Sequence, residues 1–256
     1  MPTGGATTYT GPVEDYLKAI YELERSTGSA ATTDIAHRLE IAPASVTGMI
    51  RRLADQRLLD YEPYRGVRLT ETGLRVALRT IRRHRVIETF LVRVLGYSWD
   101  EVHAEAERLE HAVSDALVDR MAAALDEPTV DPHGAPIPTR EGTVDEAHYA
   151  SVEELAPGER ARVVRVSDED PARLRYLGSL GLTPGVTVMV AARAPFDGPI
   201  TLRIGSGRRA TQQVVGPSLA HSLLVERLRT PHRPPHRPPH RPPQRPPHGP
   251  PLGPPG

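Results

Sequence analysis

WDEVHAEAERLEHAVSDALVDRM, residues Trp99–Met121, repeats apolar side chains at helical spacing: Val102, Ala106, Leu109, Val113, Leu117 and Met121 recur at steps of three or four. The periodicity predicts a helix. Beside the apolar stripe stand His103, Glu107, Glu110 and His111, whose spacings place them within roughly a third of the helix circumference. Nine acids stand against two arginines between Trp99 and Glu127. Clustered carboxylates repel unless a cation or water separates them, and imidazole with carboxylate is a ligand set for a divalent metal. A solvated acidic helix face would carry the same residues. A second pair upstream, His84 and Glu88, also at i, i+4 on a predicted helix, turns the reading toward metal. Two helices that each offer His and Glu one turn apart can converge on an ion, and two sites are expected.

The chain has 256 residues, enough for two domains and linkers. Its 32 Lys and Arg balance 32 Asp and Glu, so partners must be read from local imbalance. The lack of cysteine excludes disulfides and thiolate metal sites, leaving His and carboxylate as ligands. The N-terminus MPTGGATTYT has no apolar core and no run approaches about 18 apolar residues, so neither a signal peptide nor a membrane span is expected. The expectation is a soluble, cytoplasmic protein. With aromatic content at 4%, cores must be built mainly from Leu, Val, Ile and Ala.

Residues 1–10 read as a flexible arm. Val13–Arg25 is predicted as an amphipathic helix with Leu17, Ile20, Tyr21 and Leu23 inward, and Asp15 in its first turn suits the helix dipole. Thr32–Leu39 reads as a short helix capped by Thr32, and Ser45 as the cap of a third helix with Val46, Met49, Ile50 and Leu53 inward. Two short helices joined by a tight turn form a helix-turn-helix, whose second helix enters the major groove of DNA. LDYEPYRGVRLT, from Leu59 to Thr70, alternates around a Tyr-Arg-Gly turn and predicts a two-stranded wing. Five arginines against three acids between Pro43 and Thr70 suit phosphate contact. The candidate DNA contacts are Thr32 and Thr33, then Ser45, Thr47, Gly48, Arg51 and Arg52, with Tyr64 and Arg65 at the wing tip. The DNA-binding domain is placed at 11–73.

Thr70 is expected to cap a long helix from Glu71 to Leu95, ended by Gly96. Its apolar second half can pack against the metal helix and a second subunit, which places a metal-binding and dimerisation domain at 74–127 and predicts a homodimer on two DNA half-sites. Residues 128–150 are Pro- and Gly-rich and read as a linker. Short strands with Gly/Pro turns over 151–230 predict a small β-barrel. From residue 231 an RPPH-type repeat has no means of forming a core, and its His232, His236, His240 and His248 do not share one face of a polyproline helix.

The winged helix-turn-helix, the linking helix, His84-x-x-x-Glu88, Glu107-x-x-Glu110-His111 and the phrase DPHGAPIP together resemble the diphtheria-toxin-repressor family of metal-dependent transcriptional repressors. The likeness runs from about Val13 to Leu228. It implies a mainly α fold with a C-terminal SH3-like β domain, and a primary metal site of Asp15, Glu107, Glu110 and His111. It implies a second site of His84, Glu88 and His103, to which the β domain adds Asp170. The partner implied is operator DNA, palindromic to match a dimer. The iron-sensing branch carries methionine and cysteine where this chain has Asp15 and Glu107, and carboxylates there favour Mn(II), with Fe(II) as the alternative. ASVTGMI and YEPYRGVRLT are similar to the manganese branch. Lys18 stands where short, two-domain manganese regulators have a glutamate ligand, so the three-domain regulators with separate sites are the better likeness. Gly48 and Arg173 stand where the iron branch has glutamines.

Two other classes share parts of this pattern. Glu107-Arg-Leu-Glu110-His111 is one residue from the H-x-x-E-H motif of metallohydrolases, but Glu107 fills the place of the first His. A metal-independent DNA-binding protein would have DNA affinity indifferent to chelator. The expectation is a regulator without catalytic residues, in which unpartnered carboxylates repel until a metal joins them.

Overall fold

The computed structural model describes residues 9–228, apart from 63–65, 146, 168–169, 206 and 208–209. Most of the expected arm, the wing tip with Tyr64 and Arg65, and the Pro/His/Arg-rich tail lie outside the described residues. Among the described residues no helix is long and apolar enough to cross a membrane.

Helix α1 (Gly11–Thr27) buries Leu17 and Ile20 completely and Val13, Tyr16 and Tyr21 nearly so. They meet Ile35 and Ala36 of α2 (Thr32–Arg38) and Val46, Ile50 and Leu53 of α3 (Pro43–Asp55). Full burial of one such aliphatic side chain stabilises by about 1.5–3 kcal/mol. The capping predictions for these helices fail. Ala31 and Ala42 hold the N-cap positions, and neither makes a side-chain cap bond. Pro43 opens α3, where its fixed φ suits the first helical position, and this carries Ser45 inside the first turn. The wing is an antiparallel pair, β1 (Leu59–Glu62) and β2 (Gly66–Leu69), with Leu59 opposite Leu69.

Helix α4 (Glu71–Arg93) starts as expected, with Thr70 Oγ1 accepting from the Gly73 amide at 3.1 Å, and Gly96 at φ +73° follows its end. The helix belongs to two regions. Val76, Ala77, Leu78 and Ile81 complete the winged-helix core, while Ile87 and Leu91 pack on Val102 and Ala106. Trp99–Met121 is two helices, α5 (Val102–Leu109) and α6 (Asp115–Ala124). Ser114 caps α6 by accepting from the Leu117 amide, so the chain turns at 110–114. The apolar spacing survives the break because Val113 packs against the clusters of both helices, whereas Leu117 is 43% exposed.

The C-terminal unit comprises β3 (Ala150–Ser151), a short 3-10 turn (Val152–Glu154), β4 (Arg160–Val166), α7 (Pro171–Ser179), β5 (Thr187–Arg193), β6 (Ile200–Ile204), β7 (Thr211–Val215), α8 (Pro217–Ser222) and β8 (Leu223–Arg227). The strands form one antiparallel sheet in the order β3-β8-β4-β5-β6-β7, the SH3-like β domain expected. Bulges at Val163/Arg165 and Val190/Ala192 bend it around alternating buried residues such as Ala161, Val163, Val188 and Val190. Strand β7 escapes sequence reading because TQQVV buries only Val215.

The stretch read as a linker is half structured. Asp131, His133, Ala135 and Ile137 are buried, and residues 139–149 are mostly exposed. Arg82 donates to the Pro138 carbonyl at 3.0 Å and Arg85 to that of Pro136. The Val166 amide of β4 donates to the His133 carbonyl at 2.8 Å. Gly134, at φ +86°, lies so close to β4 that a Cβ would sit 2.0 Å from the Val164 carbonyl oxygen. Residues 131–138 are therefore a seam between α4 and the β domain.

Candidate metal centre

Three helices meet where the histidines and carboxylates lie: α1, α4, and α5 with the turn after it. At the outer edge, Asp15, Glu110 and His111 offer ligand atoms that all lie within 4.8 Å of one another. His111 Nε2 is 2.8 Å from Asp15 Oδ1 and 3.5 Å from Glu110 Oε1. Its other nitrogen, Nδ1, is 2.8 Å from Glu14 Oε2. Glu14 is buried and fixed by Arg83 at 3.0 Å, which also donates to Asp115 at 2.8 Å. A carboxylate on one ring nitrogen orients the other for a ligand, the usual support of a metal-bound histidine. Hydrogen bonds to Asp15 and Glu14 push the His111 imidazolium up to about 10, against burial. Burial opposes the charge on Glu14, but His111 and Arg83 outweigh it and lower its pKa.

Deeper in, His84 and Glu88 of α4 meet His103 of α5. His84 Nε2 is 3.0 Å from both Glu88 Oε1 and His103 Nδ1, and His103 Nδ1 is 3.2 Å from Glu88 Oε1. Burial and Lys18 oppose a proton on His84, yet Glu88 and Glu110 push its pKa up to about 9. Burial likewise opposes charge on Glu88, but His84, His103 and His133 hold its carboxyl well below the usual range. Behind Glu88 the seam contributes Asp131 and His133, which form a third convergent group with it. His133 Nδ1 lies 3.8 Å from Glu88 Oε2 and its Nε2 2.7 Å from the Trp99 carbonyl. Asp131 Oδ1 accepts from the amides of His133 and Ala135 at 2.8 and 2.9 Å. Burial, then Glu88, raise the Asp131 pKa.

Glu110 joins the two clusters. It is fully buried, with Oε2 2.5 Å from His84 Nδ1 and Oε1 turned toward His111. Lys18 Nζ lies against the same carboxylate at 3.1 Å, against Glu107 Oε1 at 2.5 Å, and 3.3 Å from His84 Nδ1. Burial disfavours this ammonium, but Glu110 and Glu107 outweigh it and raise its pKa. The expected repulsion is thus absent in this geometry, because Lys18, Arg83 and the imidazoles partner the carboxylates.

The residues foreseen are brought together unevenly. Asp15, Glu110 and His111 converge, as do His84, Glu88 and His103. Glu107 converges instead with His84 and Glu110 around Lys18. Asp170 is in none of these groups; it is the N-cap of α7, its Oδ1 accepting from the Ala172 amide at 2.8 Å. Arg173 donates to Ser218 Oγ at 2.9 Å. Sequence reasoning missed Glu14, Asp131 and His133. The signal for the last two was present in Asp-Pro-His-Gly, an Asp that can turn the chain onto its own amides two residues on.

In the winged helix, α3 exposes Ser45, Thr47, Gly48, Arg51 and Arg52 while burying Val46, Ile50 and Leu53. Thr33 is exposed and Thr32 half-buried at the start of α2. No atom lies within 4 Å of a Cβ added at Gly48, so this helix face is open.

Residues 9–67 match the family described as iron dependent repressor, N-terminal DNA binding domain; residues 70–139 match iron dependent repressor, metal binding and dimerisation domain; residues 151–227 match the FeoA domain. The iron-dependent repressor IdeR of Mycobacterium tuberculosis is 33% identical over 227 residues, covering 84% of this chain and 96% of the relative. The HTH-type transcriptional regulator MntR of Bacillus subtilis is 38% identical over 112 residues, covering 44% and 78%. A solved manganese-dependent transcriptional repressor in complex with manganese superposes with a TM-score of 0.79 at 40% identity, covering 84% of this chain and all of that one.

Proposed function

The chain belongs to the iron-dependent repressor family of metal-dependent DNA-binding transcriptional repressors, and from that premise we propose that Mn(II) is its co-repressor and that it controls manganese-uptake genes. Its partners as a repressor are operator DNA and a second copy of the chain. The observation that carries the choice of metal is the donor set. Asp15, Glu110 and His111, and separately His84, Glu88 and His103, supply only carboxylate oxygen and imidazole nitrogen, and the chain contains no thiol. Such a set fits a hard divalent ion. A bound ion supplies the positive charge that this set of acidic donors is built to share.

The chain's own residues then do the positioning. Asp15 rides on α1 of the winged helix, while Glu110 and His111 sit at the end of α5, so completing that cluster fixes the DNA-reading head on the helical domain. Glu14 holds the His111 ring, and Glu110 passes the same constraint to His84. In a dimer this sets the spacing of two α3 helices, which suits a palindromic operator. Metal and DNA favour the same state, so each tightens the other by the same factor. Equal melting temperatures with and without saturating Mn(II) would overturn this linkage, since at a hundredfold excess over Kd binding adds about 2.7 kcal/mol.

Iron is the second reading, favoured by the length over which the chain aligns with IdeR and by the tolerance of imidazole–carboxylate sites for Fe(II). Fluorescence anisotropy on operator DNA selected from a random pool, titrated with Mn(II), anaerobic Fe(II) and then chelator, separates the two. Tight binding at lower free Mn(II), reversed by chelator, is expected; an equal or better response to Fe(II) moves the protein to iron.

A further inference from the structure

We propose that residues 98–101, the turn ahead of α5, are the docking element for the β domain, with Trp99 and Arg175 as its positioning residues. They seat the domain through protein contacts alone, so it stays docked with or without metal. This goes beyond the repressor reading, and only its consequence for metal affinity rests on that reading.

Trp99 is the chain's one tryptophan. It precedes α5, yet it packs against the β-domain core that holds Leu174, Leu177 and Leu182. Its indole lies over Gly178 of α7 so closely that a Cβ there would be 3.1 Å from Nε1 and 3.5 Å from two ring carbons. A side chain at 178 would push on the ring. The next residue of the turn adds charge. Asp100 is buried, and Arg175, one turn before Gly178, donates from Nε to its Oδ2 at 2.9 Å. The same guanidinium lies 3.8 Å from Glu101. The Trp99 carbonyl accepts from His133 Nε2 at 2.7 Å, and the two rings are 5.5 Å apart. His133 is tied in turn to β4, its own carbonyl accepting from the Val166 amide. The β domain thus grips this turn twice, through α7 and through the seam.

The grip bears on the inner cluster of His84, Glu88 and His103. The turn runs straight into α5, whose Val102 is fully buried against α4 and whose next residue is His103. Fixing 98–101 therefore fixes where α5 begins, and with it the approach of His103 to Glu88 and His84. The family likeness gives the β domain a metal ligand, Asp170, and a domain held by that ligand alone would undock as metal leaves. Here Asp170 caps α7, and the junction is made by an indole, an ion pair and backbone-directed hydrogen bonds. A buried aromatic dominates an interface this small, and it does so without an ion.

The test is the emission maximum of Trp99 in full-length protein, read in chelator and in saturating MnCl2, for wild type, Gly178→Leu and Arg175→Gln. Wild type should emit at the same maximum in both conditions. Gly178→Leu should drive the indole into water and shift emission to the red in both, with helix content by circular dichroism unchanged. Arg175→Gln should shift it less, in the same direction. Calorimetric titration of Gly178→Leu should show one Mn(II) held about tenfold more weakly and the other unchanged. A red shift of wild type in chelator, reversed by Mn(II), would overturn the proposal, because metal would then seat the domain. Unchanged emission in both folded variants would overturn it too, and unweakened Mn(II) binding in a red-shifted variant would remove the positioning role. If Gly178→Leu does not fold, Arg175→Gln and the wild-type comparison decide. If wild type takes up no Mn(II) while the variants still shift emission, the docking stands and the metal reading falls alone.

Discussion

The two flanking clusters share a neighbour in Glu110 yet differ in what surrounds them. At the inner one, the side chains of His84 and Glu88 are 6% and 2% exposed, and its donors come from α4 and α5, a pair packed through Ile87, Leu91, Val102 and Ala106. At the outer one, Asp15 and His111 are 37% and 26% exposed, and its donors come from different regions, α1 on one side and the end of α5 on the other. The inner cluster is therefore assembled by the packing of α4 on α5, with none of its three donors drawn from α1. The outer cluster is complete only when the winged helix is docked. With the proposed function, the difference predicts different work: the inner cluster would support the helical domain, and the outer would report the position of the DNA-reading head.

The most severe way to break this contrast is Glu110→Ala, which touches both clusters at once. Removing one partner from a buried charge network costs about 3–5 kcal/mol, here by taking away the carboxylate between Lys18 and His84 and leaving Glu107 and Glu88 as their remaining partners. Urea unfolding should show a loss of that order together with loss of Mn(II)-dependent DNA binding. A loss under about 1 kcal/mol would show that Glu110 does not couple the clusters. Next comes the pair Asp15→Ala and His103→Ala. Asp15→Ala should abolish metal-dependent DNA binding while changing metal-free stability by less than about 1 kcal/mol, because its ion pair is part-exposed. His103→Ala should remove one Mn(II) per protomer, leave a weakened metal response, and lower stability more. Equal effects of the two on DNA anisotropy and on unfolding would erase the distinction.

The mildest perturbation is pH. His84 and His111 are held up to about 9 and about 10 in the folded protein, above the ordinary value of about 6.5. A raised folded pKa gives stability that is fully present below about pH 6.5 and is lost as pH rises through those folded values. Metal-free protein should thus lose stability between about pH 7 and 10. Mn(II) must displace these protons, so its apparent affinity should rise over the same range. Calorimetry in buffers of different ionisation enthalpy should report proton release at neutral pH; no release would mean both rings are already neutral.

Much of this architecture is legible in the sequence because apolar periodicity survives in the chain whatever the tertiary contacts do. The helices of the winged domain and the paired strands of the wing follow from it, and the cap at Thr70 from the hydroxyl ahead of the helix. Where a turn interrupts without Pro or Gly, as at 110–114, the same periodicity misleads: Val113 keeps the rhythm while the backbone changes direction. Caps misled for another reason, since Pro43 overrode Ser45. At the candidate metal centre, the residue types and their i, i+4 pairings are readable, but their grouping is not. Which carboxylate faces Lys18 and which faces His111 depends on how α1 lies across α4. Asp170 takes a local role that the family likeness did not foresee, capping α7 with a bond from the Ala172 amide.

The seam at 131–138 has a consequence for how the chain can change over time. A spacer of Pro and Gly ordinarily absorbs insertions and deletions freely. Here one added residue between Asp131 and Pro138 would shift His133 off both Glu88 and the Trp99 carbonyl, and any side chain at Gly134 would drive β4 away. Length is freer further on, where most of the described residues from Thr139 to Tyr149 are exposed. Lineages of this protein should therefore diverge in linker length on one side of Pro138 alone, and a β domain exchanged between relatives should be joined there.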